Sequence, residues 1–311
     1  MSRLTHEAQG AYAPPVPARE LIAHSADGAR LHVEVHGPEG APAVVLAHGW
    51  TCSTAFWAAQ IRDLAADHRV IAYDQRGHGR SPASEACSTE ALADDLEAVL
   101  APGEKAVLAG HSMGGMTLMA ASARPRFQEH AAAALLCSTG STRLVEEARV
   151  LPWRAGRLRT RLTGAVLGSR APLGPVTPVA RRILKYATMG PGSSPVMVEA
   201  CARIVHACPR GVRHAWSAVL STLDLDAGVR ELKVPTAVIA GSVDRMTPVV
   251  HARALVAALP NCVGSTELPG LGHMTPVEAP ELVTARIREL VATYAVKTAE
   301  AGQVAEIKEG A

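Results

Sequence analysis

Apolar and polar positions follow two rhythms along this chain. Short, near-continuous apolar runs occur at Ala43–Ala47 and at residues 70–73, 106–109, 132–137, 236–240 and 263–268. Runs of this length bounded by polar residues or glycine read as strands, and the lack of alternation in the central ones predicts cover on both faces. Between them, residues 56–66, 89–100, 113–123, Val249–Ala258 and 278–294 carry helix-compatible patterns. Two further strands, at residues 20–25 and 31–36, are joined by Asp27-Gly28, a favoured hairpin turn. Strand and helix signals in alternation predict an α/β fold, a mostly parallel sheet flanked by helices with an antiparallel start.

Residues 141–232 break this rhythm. They hold helix-like stretches and no clear strand, and residues 158–179 are rich in glycine and proline. Ser194-Pro195 has the cap-then-proline signature of a helix start, followed by Met197, Cys201, Ile204, Val205 and Cys208 at one-face spacing. This block is expected to be a helical cap inserted into a core made of residues 20–140 and 233–296. Residues 1–19 and 297–311 are expected to be a flexible lead-in and tail.

Composition narrows the possible functions. A chain of 311 residues with 48% hydrophobic residues has enough apolar material for one large core. A net charge of +2 argues against a nucleic-acid binder working by bulk charge. No apolar run approaches the length of a transmembrane helix, and residues 1–20 do not read as a secretory signal. Six scattered cysteines without metal-ligand spacing predict reduced thiols and a cytoplasmic protein, with no metal site.

The chemistry is carried by three loops. Gly110-His111-Ser112-Met113-Gly114 matches G-x-S-x-G, between an expected strand and an expected helix. That turn needs small neighbours, lifts the serine hydroxyl above the sheet edge and aims a helix N-terminus at the same place. A serine needs a base, and the base an orienting acid. Asp244 follows the run at 236–240, and His273 follows the run ending at Leu268, inside Gly270-Leu271-Gly272-His273-Met274-Thr275-Pro276. His48-Gly49-Trp50, after Ala43–Ala47, and the elbow itself supply two candidate oxyanion donors, the amides of Trp50 and Met113.

These segments, together with Tyr73-Asp74-Gln75-Arg76-Gly77-His78-Gly79-Arg80-Ser81, resemble the α/β-hydrolase superfamily over residues 20–296. The resemblance implies an eight-stranded sheet with a cap after the sixth strand. It also implies Ser112 as nucleophile, His273 as base and Asp244 as orienting acid, with no cofactor. Dehalogenases and epoxide hydrolases of this superfamily carry an aspartate where this chain has Ser112, which disfavours both. His48, His78, His111, Asp74 and Arg76 are expected to act as hydrogen-bonding scaffold.

The expected function is cleavage of a carboxylic ester of a small-molecule acyl substrate through an acyl-enzyme. The same residues also suit thioesters, lactones, carbon–carbon cleavage of a diketone, or perhydrolysis; a non-catalytic hydrolase-fold binder is the remaining alternative. Trp50, Phe56, Met116, Trp153 and Trp216 are candidates for the substrate pocket, and the last four suit the core equally well. From Arg143 to Lys185 the chain carries ten Lys/Arg and two Glu. That bias suits either a solvated helix face or a weak contact with an anionic surface or carrier.

Overall fold

The computed structural model describes residues 12–100 and 104–295. The expected tail at 297–311 and most of the expected lead-in at 1–19 lie outside the described residues. Eight strands form one sheet: β1 (Arg19–His24), β2 (Arg30–His36), β3 (Ala43–Ala47), β4 (Arg69–Tyr73), β5 (Ala106–His111), β6 (Ala131–Cys137), β7 (Thr236–Gly241) and β8 (Cys262–Leu268). Their order across the sheet is β1-β2-β4-β3-β5-β6-β7-β8. β2 pairs antiparallel with β1 and β4, and every other pair is parallel. The β1–β2 turn places Gly28 at φ 83°, a conformation that favours glycine.

Helices cover both faces, which is why the central strands show no alternation. Val44, Leu46, Val107 and Ala109 pack with Ile61 and Leu64 of α1 (Ala58–Leu64) and with Val283 and Ile287 of α13 (Pro280–Leu290). Their strand neighbours Val45, Ala47 and Leu108 pack on the opposite face. There they meet Leu92 and Leu96 of α2 (Thr89–Val99), Met116 of α3 (Met113–Ala121) and Leu255 of α11 (Val249–Ala258). Each side chain of the central strands therefore leaves water on whichever face it emerges.

Several local expectations are corrected. The stretch at 56–66 begins as a 3₁₀ turn, Thr54–Trp57, before α1. A helix α4 (Pro125–His130) occupies residues not expected to be helical, with Pro125 at its first turn. The helix expected at 278–294 is interrupted at Ala279 (φ −141°, ψ 62°), as the ring of Pro280 disfavours the helical conformation there. A short α12 (Thr275–Glu278) precedes that break.

Between β6 and β7 lie α5 (Leu144–Glu147), α6 (Arg157–Leu167), α7 (Pro178–Thr188), α8 (Pro195–Ala207), α9 (Arg210–Ser221) and α10 (Asp226–Glu231). The ends of this segment meet: Thr142 bridges Asp224, and the Leu225 amide donates to the Ser141 carbonyl at 2.8 Å. α6 lies inside the Gly/Pro-rich stretch. α8 starts as its sequence predicts, with the Ser194 hydroxyl accepting from the Met197 amide. All six cysteines are unpaired. No helix among the described residues is long and apolar enough to cross a membrane.

Candidate active site

Ser112 sits between β5 and α3 at φ 51°, ψ −116°, a conformation that costs a non-glycine residue roughly 1–3 kcal/mol. Its neighbours show why the turn is built from small residues. A Cβ on Gly110 would lie 2.5 Å from the Gly114 carbonyl, and one on Gly114 would lie 2.0 Å from the Ala47 oxygen. The turn is held by its backbone: the Ser112 amide donates to the Cys137 carbonyl (2.9 Å), and the Thr139 hydroxyl donates to the Ser112 carbonyl (2.7 Å).

The loop after β3 passes directly beside it. A Cβ on Gly49 would be 3.1 Å from the Ser112 Cβ. Among the described residues, the amides of Trp50 and Met113 find no acceptor in the chain. Gln75 braces this loop, a role its sequence position did not reveal. Its amide donates to His48 Nε2 (3.0 Å), its side-chain nitrogen donates to the His48 carbonyl, and its side-chain oxygen accepts from Thr117 (2.8 Å).

Asp244 follows β7 and His273 follows β8. Oδ2 of Asp244 accepts from His273 Nδ1 at 2.8 Å and from the Thr247 hydroxyl at 2.9 Å. Its Oδ1 accepts from the amides of Met246 and Thr247. With Nδ1 donating, Nε2 of His273 is left as the acceptor nitrogen of a neutral ring. The His111 ring, next in sequence to Ser112, lies 4.8 Å from the His273 ring. The Ser112 hydroxyl makes no hydrogen bond within the described residues, so the row is joined between acid and imidazole and open between imidazole and hydroxyl.

The scaffold residues are buried, and backbone groups and carboxylates satisfy most of their polar atoms; Nδ1 of His111 is buried without a partner among the described residues. His111 Nε2 donates to the His273 carbonyl at 2.9 Å, and burial together with the nearby His273 ring pushes His111 well below the usual histidine range. Burial, with His78 adding to it, lowers His48 to about 3, and burial lowers His78 to about 4. Arg76 reaches both oxygens of Asp95 (2.7 and 2.6 Å) and both of Asp27 (2.8 and 3.5 Å). Asp74 accepts from the amides of Thr54 and Arg80. Among the described residues no group of three or more His, Cys, Asp or Glu is placed to hold a metal.

Ser112 opens onto a cavity whose walls include Trp50, Met116, Leu144, Val145, Leu167 and Leu220. The other aromatic candidates lie elsewhere. Trp153 is 54% exposed, Trp216 is buried with its indole nitrogen donating to the Arg76 carbonyl, and Phe56 packs on His111. The pocket walls that sequence reasoning missed come from α5, α6 and α9. They carry no motif, because any apolar residue there reads as core.

Residues 44–286 match the model of the alpha/beta hydrolase family. The chain is 46% identical over 93 residues to RutD of Variovorax paradoxus, which carries a carbamate-hydrolase name, covering 28% of this chain and 34% of that one. It is 37% identical over 94 residues to 3-oxoadipate enol-lactonase 1 of Acinetobacter baylyi, covering 30% and 35%. The chain thus spans about a third of the length of these curated relatives. Other relatives that match stretches of it carry epoxide-hydrolase names. Among solved structures, the esterase RhEst1 from Rhodococcus sp. superposes with a TM-score of 0.72 at 26% identity, over 88% of this chain and 99% of that one. The matched span, the sheet order and these similarities make the chain a member of the alpha/beta hydrolase family.

Proposed function

We propose that the protein is a serine hydrolase that cleaves a carboxylic ester through an acyl-enzyme, with segment 141–232 acting as its cap. Ser112 Oγ attacks the ester carbonyl carbon as Nε2 of His273 takes its proton. Asp244 holds the imidazole through Nδ1 and stabilises the imidazolium. The amides of Trp50 and Met113 receive the developing oxyanion; one such donor is worth about 3–4 kcal/mol. His273 then returns the proton to the leaving alcohol. It next takes a proton from water, whose oxygen attacks the acyl carbon; as the bond from that carbon to Ser112 Oγ breaks, His273 passes the proton to Oγ, releasing the acid and restoring the serine.

The observation that carries this reading is the 2.8 Å bond from His273 to Asp244, formed at the strand ends beside the strained Ser112 turn. The open hydroxyl–imidazole step is compatible with it, since catalytic hydrogen bonds often tighten only when substrate is bound. A serine at residue 112 favours acyl transfer over epoxide opening. Six unpaired thiols fit a reducing, cytoplasmic setting.

Ser112→Ala is expected to abolish turnover of p-nitrophenyl acetate with its circular dichroism spectrum unchanged, and a fluorophosphonate is expected to label wild type at Ser112. Turnover that survives the substitution would overturn the assignment. Labelling without any turnover would point to the non-catalytic alternative. We further propose that the outer face of α6 contacts an anionic lipid surface, supported by its exposed Leu158, Leu162 and Val166 beside Arg157 and Arg161.

A further inference from the structure

The cavity at Ser112 has a wall position that packing does not explain. Gly164 lies inside α6, where glycine is a worse helix former than alanine. Its φ is not positive, and a Cβ there would meet only the Val145 Cγ1, at an ordinary 3.6 Å. At Gly110, Gly114 and Gly115 a Cβ would come within 2.7 Å or less of a neighbour, so close packing excludes a side chain. Gly168, one turn beyond Gly164, is different again: it ends the helix, and a Cβ on it would lie 2.9 Å from the Gly164 oxygen. Gly164 alone among these has room for a side chain and carries none.

The missing side chain borders the cavity. Gly164 shares the cavity wall with Leu144, Val145, Leu167 and Leu220, and Ser112 lies on the same cavity. The lining contains no charged side chain; its polar members are the hydroxyls of Ser112, Ser217, Ser221 and Thr247. An ionised acyl group would lose its hydration there without a counter-charge, at high cost, whereas an apolar chain would gain from burial.

We propose that this site takes esters of apolar, uncharged acyl groups and that the bare position at Gly164 sets the length of chain it admits. The ester part rests on the reading of Ser112 as nucleophile; the length limit rests on the cavity wall. Filling the position has two effects of opposite sign. A methyl group at residue 164 improves the helix and shortens the pocket, so thermal stability rises while tolerance of long chains falls.

The test uses the full chain and its Gly164→Ala and Gly164→Leu variants. The ratio of kcat/KM for p-nitrophenyl octanoate to that for the acetate is expected to fall about tenfold in Gly164→Leu and less in Gly164→Ala, as an added group in an apolar pocket discriminates at that level. Gly164→Ala is expected to melt at a higher temperature than wild type. If the leucine variant does not fold, the alanine variant carries the test.

A second readout needs no catalysis. In a Ser112→Ala background, methyl ketones of four to twelve carbons are titrated by thermal shift. The chain length giving the largest shift is expected to shorten by roughly four carbons in Gly164→Leu, the number its side chain adds at close-packed density. An unchanged length profile in both assays would overturn the proposal, as would wild-type preference for a succinyl over a butyryl ester. Turnover surviving Ser112→Ala while the ketone profile still shifts would remove the nucleophile and leave the length limit standing.

Discussion

Glu278 Oε2 lies 2.6 Å from the amide nitrogen of Gly190, 88 residues earlier in the chain. The same oxygen accepts from the Ser193 hydroxyl at 2.8 Å, and Oε1 accepts from the Met274 amide at 3.1 Å. The Gly272 amide donates to both oxygens. One buried carboxylate therefore ties the turn between α7 and α8 to the residues on either side of His273. The Thr188 carbonyl, accepting from the His273 amide at 2.7 Å, adds a second tie between the same two segments.

Replacing Glu278 with Gln keeps one acceptor oxygen but turns a donor toward these amides. Glu278→Gln is expected to destabilise the fold by about 2 kcal/mol, the scale of a lost charge-assisted hydrogen bond in a buried site. Because His273 is held through this carboxylate, kcat is expected to fall about tenfold with KM changed less. Urea unfolding and steady-state kinetics measure the two effects. A loss of stability with kcat unchanged would make Glu278 a structural tie only.

Asp244 has two roles that a substitution separates. Its Oδ1 accepts from two amides in its own turn, and its Oδ2 accepts from His273. Asp244→Asn preserves the shape and leaves an acceptor for the turn. It can, however, present an amide to His273 Nδ1 and favour the tautomer that places the proton on Nε2. A ring in that tautomer cannot accept from Ser112, so kcat for p-nitrophenyl acetate is expected to fall by on the order of 10⁴. A fall of less than tenfold in a variant with wild-type melting behaviour would assign Asp244 to the turn alone.

The sheet was legible because burial on both faces leaves a direct trace: five of the six apolar runs are strands β3 to β7, while the sixth, β8, is an edge strand whose Ser265, Thr266 and Glu267 are exposed. The hairpin announces itself through Asp27-Gly28. Ser112, Asp244 and His273 were legible because each follows such a run and so must emerge at the same sheet edge. Glu278 was not, since its partners Gly190 and Ser193 are distant in sequence and neither residue type signals a carboxylate. The cavity walls were only partly legible, for a different reason: of the five candidates Trp50 and Met116 line the cavity. Trp153, Trp216 and Phe56 stand out by size, but size does not say which side of a helix or loop faces the cavity. Trp216 serves the core and Trp153 faces water. Gly164 was hidden within a stretch whose glycines and prolines masked α6 altogether.

The buried histidines predict acid lability. In the folded protein His48 is lowered to about 3, His78 to about 4 and His111 well below its usual range, all chiefly by burial. In the unfolded chain each would take up a proton near its ordinary value of 6.5. Below that pH the unfolded state binds more protons, so the contribution of each histidine is full above 6.5 and is lost as pH falls toward its folded value. Asp74 opposes this: burial raises it to about 6, so its contribution is full below its unfolded value of 3.8 and is lost as pH rises through 6. Asp95, also raised by burial, opposes it too, and His251, lowered by burial, adds to the histidine side. Four groups outweigh two, and stability is expected to rise with pH between about 4 and 6.5. Urea midpoints across this range would check it; a flat or falling profile would contradict the neutral, buried state of these rings.

The outward arc of α6 makes the last prediction. Leu158, Leu162 and Val166 recur at i, i+4 and i+8, with exposures of 70%, 36% and 57%, and lie on the side turned away from Leu167 at the cavity. Arg157 and Arg161 flank them, and neither has an acidic partner among the described residues. A second copy of this face would bring like charges together, whereas an anionic bilayer offers both an apolar boundary and counter-charge. Sedimentation with vesicles is expected to recover the protein on phosphatidylcholine containing 30% phosphatidylglycerol and not on phosphatidylcholine alone. Binding is expected to weaken in 0.5 M salt, because exposed charges are screened over a few ångströms there, and to be lost in Arg157→Glu/Arg161→Glu. Equal binding to neutral vesicles, or none to either, would leave this face as solvated surface, with its arginines serving only to keep exposed leucines from self-association.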